Sequence, residues 1–269
     1  MALKYLMLRL LRSCNLLRFA DSCKFKIEQL FRWPGNRQFR KENPNFPVPP
    51  SDLMFDALNH SDWTIYRQTG ISHAKVFTDI ISKNLSDKNL DILEWGCGPG
   101  RLIRHMSTLL QERQVRLTGS DFNEQSIQWC KENLHGIDFV VNQIFPPLPL
   151  DANRFDAVCN FSVFTHLSHN SQIDWAKELH RILKPGGLMI CTTHGDNYRH
   201  LLSGQSEMAD YEEGKVVIQG RYSEGKKWFF AIHPPIFVRN ELLKHFSTVK
   251  QLKNGVSAGI EQDIWLCIK

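Results

Sequence analysis

The sequence predicts an α/β fold organised around a mostly parallel sheet. Short apolar runs of strand length alternate with longer segments in which apolar residues recur at helical spacing. The clearest unit lies at 90–110, where a buried strand is followed by a turn with three glycines and then by a helical pattern. This alternation is typical of strand–helix–strand units, whose strands lie parallel in one sheet.

The length and composition are those of an ordinary globular protein. The 269 residues suffice for one large α/β domain with appendages or for two small domains. A content of 42% hydrophobic and 23% charged residues allows a sizeable core. The seven cysteines are scattered and form no C-x-x-C pair. We therefore expect neither a disulfide framework nor a metal site, and we favour a reducing compartment.

Positive charge is concentrated at the N-terminus. Residues 1–41 contain ten basic and two acidic residues, a net of +8. Because the whole chain has a net charge of +5, the remainder carries a net of −3. A body so close to neutral has little attraction for polyanions, so we expect no nucleic-acid partner.

The basic segment has the pattern of an amphipathic helix. Apolar residues over 3–17 fall on one stripe, and the arginines and lysine between them rule out a signal-peptide core. No stretch has the ~20 apolar residues of a membrane span. Three interpretations stay open: peripheral contact of residues 1–41 with a membrane surface, packing on the domain or a partner, and an organellar presequence.

The arm ends in a proline-rich connector. We predict that Pro34-Gly35 breaks the arm and that the prolines between 44 and 50 keep the following chain extended. The chain then divides into an arm with its connector at 1–58 and a domain at 59–269.

The glycine turn predicts a ligand at the start of a helix. Gly96, Gly98 and Gly100 bring backbone N–H groups and the positive end of a helix dipole to one place. A side chain there would hold a ligand away from the backbone. The dinucleotide fingerprint would need glycine where Arg101 stands, and the lysine and hydroxyl ending of a P-loop is absent from the sequence.

Polar residues end the next two predicted strands. Asp121 ends a strand over 115–121, and its carboxylate can accept two hydrogen bonds from a vicinal diol such as a ribose. Asn123 is the better N-cap of the helix that follows, which leaves Asp121 for a ligand. Asn142 ends the third strand, and its carbonyl oxygen can accept a hydrogen bond from an amino group.

The order of these residues resembles the class I S-adenosylmethionine-dependent methyltransferases. The run from Glu94, E-x-G-x-G-x-G, resembles their motif I, and Asp121 and Asn142 match the ribose-binding and adenine-binding positions. The resemblance implies a Rossmann-like, seven-stranded, mostly parallel sheet with an antiparallel last strand, helices on both faces, and S-adenosyl-L-methionine as the cofactor. The cofactor-binding residues that it implies are Glu94, Gly96, Cys97, Gly98, Gly100, Asp121, Phe122, Asn142, Phe161 and Ser162.

A narrower resemblance concerns the segment 90–195, which is similar to methyltransferase domains of types 11 and 12. The strings N-x-x-x-P-P-L-P, S-V-F-T-H-L and L-K-P-G-G are similar to a bacterial subgroup associated with cell-surface polysaccharide or glycan biosynthesis. Pro99 stands where that subgroup often has cysteine. This subgroup implies a glycan or glycolipid acceptor, whereas the broader class also includes enzymes with small-molecule acceptors.

The segment 196–237 adds to the minimal fold. Strand patterns over 216–222 and 227–232 predict a hairpin at the ligand-binding edge of the sheet. We expect it to cover the acceptor, and the alternative is a surface excursion that completes the core. A helix over 171–182 that ends at the glycines of 183–187, a helix over 238–246, and strands over 248–253 and 263–269 complete the prediction.

Two histidines are candidates for the catalytic base. His166 and His194 follow the fourth and fifth strands, so both should face the cofactor edge. A base helps only if the acceptor is a hydroxyl or a protonated amine. The alternative for His166 is a hydrogen bond to backbone without proton transfer. His60, Tyr66 and His233 are further candidates for the acceptor pocket.

The sequence thus predicts methyl transfer from S-adenosylmethionine to an oxygen or nitrogen of a small-molecule, glycan or glycolipid acceptor. The alternative is a cofactor-binding pseudoenzyme or scaffold recruited through the basic arm. A nicotinamide oxidoreductase is disfavoured by Arg101. We expect a cytoplasmic protein with the option of peripheral membrane contact, and the sequence leaves the oligomeric state open.

Overall fold

The chain divides into two compact units, Met1–Gln68 and Thr69–Lys269. The computed structural model describes residues 17–219, 223–253 and 259–269. The predicted helix over 3–17 lies, except for its last residue, outside the described residues. Within the described ranges no helix is both long and apolar enough to cross a bilayer.

The first unit is helical. It contains α1 (Leu17–Glu42), α2 (Ser51–Leu58) and the start of α3 (Trp63–Asn84). Two phenylalanines hold α1 in place: the ring of Phe25 lies 5.0 Å from that of Phe55, and Phe39 packs edge-on against its neighbours.

Helix α1 runs unbroken through Pro34, so the prediction that Pro34-Gly35 breaks the arm was wrong. Proline removes only its own N–H from the helical ladder, and contacts next to it compensate. The side chain of Asn36 donates to the carbonyl of Ser61 at 2.8 Å and accepts from the backbone N–H of Trp63 at 3.0 Å. Both bonds tie the helix to the chain that follows α2.

The second unit is built on a seven-stranded sheet with the order β3-β2-β1-β4-β5-β9-β8. Its strands are β1 (Asn89–Trp95), β2 (Gln114–Asp121), β3 (Ile137–Val141), β4 (Phe155–Asn160), β5 (Leu183–Thr193), β8 (Thr248–Lys253) and β9 (Asp263–Ile268). Strands β1 to β5 are parallel, and β9 is antiparallel to both of its neighbours. The prediction of a mostly parallel sheet with an antiparallel last strand is confirmed.

Helices cover both faces of this sheet. The part of α3 after Thr69, α4 (Ile103–Leu109) and α5 (Glu124–Asn133) pack on one face, and their apolar residues join those of β1, β2 and β4 in one core. On the other face, α6 (His169–Ile182) and helical turns at Pro235–Phe237 and Val238–Leu242 form a second core. The predicted helix over 238–246 therefore begins earlier and ends earlier than the sequence indicates.

The boundaries of α6 also differ from the prediction. Its N-cap is Ser168, whose side chain accepts from the backbone N–H of Ser171, so the helix starts before Ser171. It ends at Ile182 because Leu183 is already extended and starts β5. Glycine therefore supplies no C-cap; Gly186, with φ +76°, lies in the irregular start of that strand.

The predicted hairpin is present but shorter. Strands β6 (Val217–Gln219) and β7 (Phe230–Ile232) pair antiparallel over three residues each. Residues 223–229 leave the ladder and contact Phe122 and His166 at the edge of the sheet. Helix α7 (Gln205–Glu212) precedes the hairpin.

Candidate functional site

The candidate site lies where the carboxyl ends of β1, β2 and β4 meet. Strand β1 has β2 on one side and β4 on the other, so the chain crosses over in opposite directions from β1. In open α/β sheets such a switch point leaves a crevice outside the strand ends, where ligands bind. The glycine loop that follows β1 lines this crevice.

All three glycines of the loop have left-handed backbone conformations, with φ of +76° at Gly96, +50° at Gly98 and +72° at Gly100. Side chains are also excluded by packing. A Cβ at Gly96 would lie 2.2 Å from Val163 Cγ2, and one at Gly100 would lie 2.4 Å from Leu134 Cδ1. The backbone conformation and the protein's own packing thus require glycine at these two positions, a reason that the sequence does not reveal.

Asp121 connects the loop to the end of β2. Its Oδ2 accepts from the backbone N–H of Gly98, and its Oδ1 accepts from the backbone N–H of Asn123, both at 2.8 Å. Asn123 caps α5 by accepting from Ser126 N–H, as predicted. An ionised carboxylate has about four acceptor sites, so Asp121 can hold the loop and still accept from a diol.

Glu94 is buried beneath the loop. Only 2% of its surface is exposed, and its Oε2 accepts from the backbone N–H of Ile103 at 2.8 Å, the first residue of α4. Burial raises the pKa of this carboxyl to about 8, although the nearby Arg101 and the Ile103 hydrogen bond oppose the rise. Glu94 therefore joins β1 to α4, and its contact with a cofactor stays a prediction.

The neighbouring Cys97 is also buried. Its backbone N–H and that of Gly96 donate to the carbonyl of Ser120, at 3.0 and 2.7 Å. Burial raises the pKa of the Cys97 thiol well above its usual range. The small Cys97 side chain is thus neutral and packs behind the loop. The backbone N–H of Cys97 helps to fix the loop against β2.

Asn142 provides an unsatisfied acceptor beside Asp121. Its backbone N–H donates to the carbonyl of Asp121 at 3.0 Å, and its side-chain amide donates to the carbonyl of Gln143 at 2.7 Å. The side-chain oxygen is buried and has no hydrogen-bond partner among the described residues. A buried acceptor without a donor costs roughly 1–3 kcal/mol, so this atom favours a ligand with an amino group.

Phe122 lies under the loop that connects the two hairpin strands. The ammonium of Lys226 is 5.2 Å from the centre of the Phe122 ring, and a Cβ at Gly225 would lie 3.1 Å from its Cζ. The segment 223–229 therefore passes over the end of β2, next to Asp121.

Ser162, just after β4, has a strained backbone with φ +64°. Its N–H donates to Thr192 Oγ1 at 2.8 Å, and its hydroxyl accepts from Gln262 Nε2 at 2.7 Å. Thr192 in turn donates to Gln262, and Thr165 donates to the Ser162 carbonyl. A non-glycine residue with positive φ persists where such contacts fix it, and strain of this kind clusters at functional sites. Local sequence patterns do not single out Thr192 or Gln262, because their bonds to Ser162 span 30 and 100 residues, and no pattern marks Thr165 as a contact of Ser162.

Phe161, the residue before Ser162, packs against His73 and Arg101. Its ring stacks on His73 with centroids 4.9 Å apart, and the guanidinium of Arg101 lies 5.1 Å from its centre. Arg101 also bonds His73 Nδ1 at 3.0 Å. Burial and the adjacent Arg101 lower the pKa of His73 to about 4, so this histidine is neutral and leaves the positive charge on Arg101.

His166 is held in one orientation by the hairpin. Its Nδ1 bonds the carbonyl of Phe229 at 2.8 Å, and its own carbonyl accepts from the N–H of Gly225 at 2.8 Å. A carbonyl can only accept, so Nδ1 carries the proton and Nε2 carries the lone pair of the neutral ring. The ring is half-buried. The hydrogen bond to Phe229 thus fixes the tautomer and the orientation of the ring.

His194 lies in a different environment. Its ring is buried against Tyr198 and Phe230, at centroid distances of 4.0 and 4.2 Å, and Nδ1 bonds the carbonyl of Ala231 at 3.1 Å. Burial, assisted by the nearby His233, holds the pKa of His194 well below its usual range. His194 is therefore neutral, and two aromatic rings pack against it.

The hairpin brings the two candidate histidines together, because both bond carbonyls of the segment 229–231. His233 follows β7, and its N–H donates to the carbonyl of His194. Its ring is buried with a pKa lowered to about 3. His60 and Tyr66 belong to the first unit.

The central segment of the chain is similar to known methyltransferases. Residues 92–187 match the family model described as a methyltransferase domain. The ubiquinone biosynthesis O-methyltransferase of Roseobacter denitrificans is 30% identical over 113 residues, which cover 41% of this chain and 43% of that protein. The tRNA N(3)-methylcytidine methyltransferase trm140 of Schizosaccharomyces pombe is 27% identical over 124 residues, or 44% of this chain and 40% of that protein. The chain thus spans less than half the length of these relatives.

A solved structure supports the fold. A crystal structure of a Pyrococcus horikoshii OT3 protein superposes with a TM-score of 0.50 at 19% identity and covers 73% of this chain and 88% of that chain. The comparisons thus show a segment similar to methyltransferase domains at residues 92–187, and a fold shared with this solved structure.

The buried Glu94 predicts a pH-dependent stability difference. Its raised folded pKa means that the native state favours the protonated carboxyl, so this group destabilises the fold as pH rises from about 5 to about 8. The Glu94→Gln variant keeps an acceptor for Ile103 and does not titrate. We expect wild type to lose about 2–4 kcal/mol of unfolding free energy relative to this variant over that range. Urea unfolding of both proteins at several pH values measures this difference in unfolding free energy. A difference that does not change with pH would contradict the raised pKa of Glu94.

Proposed function

We propose that this chain is an S-adenosylmethionine-dependent methyltransferase that modifies an oxygen or nitrogen of a small-molecule acceptor, with a hydroxyl oxygen as the leading choice. One observation carries the proposal: the glycine loop, Asp121 and the unsatisfied Asn142 oxygen lie side by side at the switch point of the sheet. A diol-binding carboxylate next to an acceptor for an amino group matches the ribose and adenine of one nucleoside.

The residues fit this cofactor. Asp121 would accept from the ribose hydroxyls, Asn142 Oδ1 from the adenine amino group, and the glycine loop would hold the amino-acid end at the start of α4. The remaining residues proposed to line the groove are Glu94, Gly96, Cys97, Gly98, Gly100, Phe122, Phe161 and Ser162. The bound cofactor supplies a methyl carbon that is already activated by a positively charged sulfur.

His166 is the proposed proton acceptor. With Nδ1–H bonded to the carbonyl of Phe229, its Nε2 would take the proton from an acceptor hydroxyl, and the carbonyl would stabilise the charged ring that results. We propose that His194 has a positioning role, because its ring packs against Tyr198 and Phe230. Its buried ring and lowered pKa make it a poor base. The segment 223–229 would exclude water above both.

Two lines of support bear on the acceptor. The ubiquinone biosynthesis O-methyltransferases among the relatives favour a small-molecule hydroxyl. The similarity of S-V-F-T-H-L and L-K-P-G-G to the polysaccharide-associated subgroup keeps a glycan or glycolipid as the second choice. The expectation of no nucleic-acid partner also stays a prediction, since one relative is named for tRNA.

Cofactor binding is the first test. Isothermal titration with S-adenosylhomocysteine should show binding to the intact chain and a loss of at least about a hundredfold in affinity for Asp121→Ala, because the loop loses its anchor and the ribose its acceptor. Asn142→Ala should weaken binding roughly tenfold. Asp138→Ala, which removes an exposed carboxylate from β3, is the matched control and should bind normally. If the intact chain does not bind, the proposal fails.

The role of His166 is tested by turnover. Release of S-adenosylhomocysteine from a panel of phenols, sugar alcohols and amines identifies an acceptor. With a hydroxyl acceptor, His166→Gln should lower kcat by about 10²–10⁴-fold and leave S-adenosylhomocysteine affinity unchanged. The exposed His135→Gln is the control. An unchanged kcat would assign His166 to a positioning role, and cofactor binding without turnover of any acceptor would favour the scaffold alternative.

A further inference from the structure

Helix α1 has two apolar faces, and only one of them is packed. Phe25 and Phe39 point into the first unit. At 3.6 residues per turn, Ile27, Leu30 and Phe31 fall on the opposite side. These three side chains are 52%, 77% and 80% exposed, and the adjacent Trp33 is 60% exposed. We call these four residues the outer stripe of α1.

A surface helix that is apolar on both sides needs a second partner. Singly exposed apolar residues are normal, but here four large side chains lie within two helical turns of one another. Their exposure to water is unfavourable, because removing apolar surface from water stabilises whatever complex buries it. The outer stripe is therefore a candidate contact surface.

Positive charge surrounds the outer stripe. Lys26, Arg37 and Lys41 are exposed, and none of the three forms an ion pair with any residue in the described part of the chain. The guanidinium of Arg37 lies 5.5 Å from the centre of the Trp33 ring. The helix as a whole contains seven basic and three acidic residues, and one of the acids, Glu28, pairs with Arg32 near the inner side.

We propose that the outer stripe of α1 docks on the surface of an anionic phospholipid bilayer. Apolar side chains flanked by the exposed Lys26, Arg37 and Lys41 match the boundary between acyl chains and anionic headgroups, and tryptophan favours the same interface. A second copy of this chain is a poorer fit, because pairing two stripes would bring two basic rims together. The docking depends on α1 and is independent of methyl transfer.

Flotation of the full-length protein tests the proposal. We expect the protein to float with vesicles of phosphatidylcholine and phosphatidylserine and to remain in solution with phosphatidylcholine alone. The double variant Leu30→Ser/Phe31→Ser should lower the partition coefficient at least about tenfold. Lys26→Glu/Lys41→Glu should lower it at least about 25-fold, at roughly fivefold for each basic residue lost, and should weaken the dependence on salt. Leu252→Ser, at an exposed apolar position on β8, is the matched control and should float like wild type.

Several outcomes would overturn the proposal. They are failure of the intact protein to float with anionic vesicles, equal flotation of either double variant, and equal binding to neutral vesicles. Light scattering that shows a dimer broken by Leu30→Ser/Phe31→Ser, without flotation, would assign the stripe to a second copy. Circular dichroism and S-adenosylhomocysteine binding check that each variant is folded. If Leu30→Ser/Phe31→Ser unfolds, the flotation of Lys26→Glu/Lys41→Glu and the salt dependence of wild-type flotation still test the proposal.

Discussion

The hydrogen bond from the Gly98 N–H to the Asp121 carboxylate is the contact on which the site depends. It closes the loop after β1 onto the end of β2, and it works together with the bonds from Gly96 and Cys97 to the carbonyl of Ser120. Asn142 is then bonded to the carbonyl of Asp121 on the other side. The ends of three strands are thus fixed by one short segment, Ser120–Asp121, so the proposed sugar and base contacts are positioned before any ligand arrives. Such preorganisation lowers the cost of binding.

The hairpin organises the proposed acceptor side in the same way. The segment 223–229 bonds His166 at two points, and Glu224 accepts from the N–H of Ser168 at 3.1 Å. The same segment lies on Phe122, beside the groove proposed for the cofactor. One surface segment therefore touches both halves of the site. We propose that this segment also covers the groove, so that its position and the orientation of His166 would be set together, as with active-site lids in other enzymes.

Much of the fold follows from local sequence patterns. Buried parallel strands are nearly continuous apolar runs, so β1 to β5 are visible in the sequence, and strand order brings Asp121 and Asn142 to one edge. Long-range contacts are not visible. Gln262 bonds Ser162 across 100 residues, and the burial of His194 depends on Tyr198 and Phe230 from the inserted segment. Nor does sequence alone show that tertiary contacts at Asn36 keep α1 helical through a proline.

The most direct measurement of the central claim is a crystal structure of the full chain with S-adenosylhomocysteine. We expect the ribose hydroxyls within hydrogen-bond distance of the Asp121 carboxylate and the adenine amino group bonded to Asn142 Oδ1. We also expect the Gly98–Asp121 hydrogen bond to be retained. A nucleoside bound elsewhere, or a groove filled by side chains with Asp121 turned away, would contradict the proposed cofactor site.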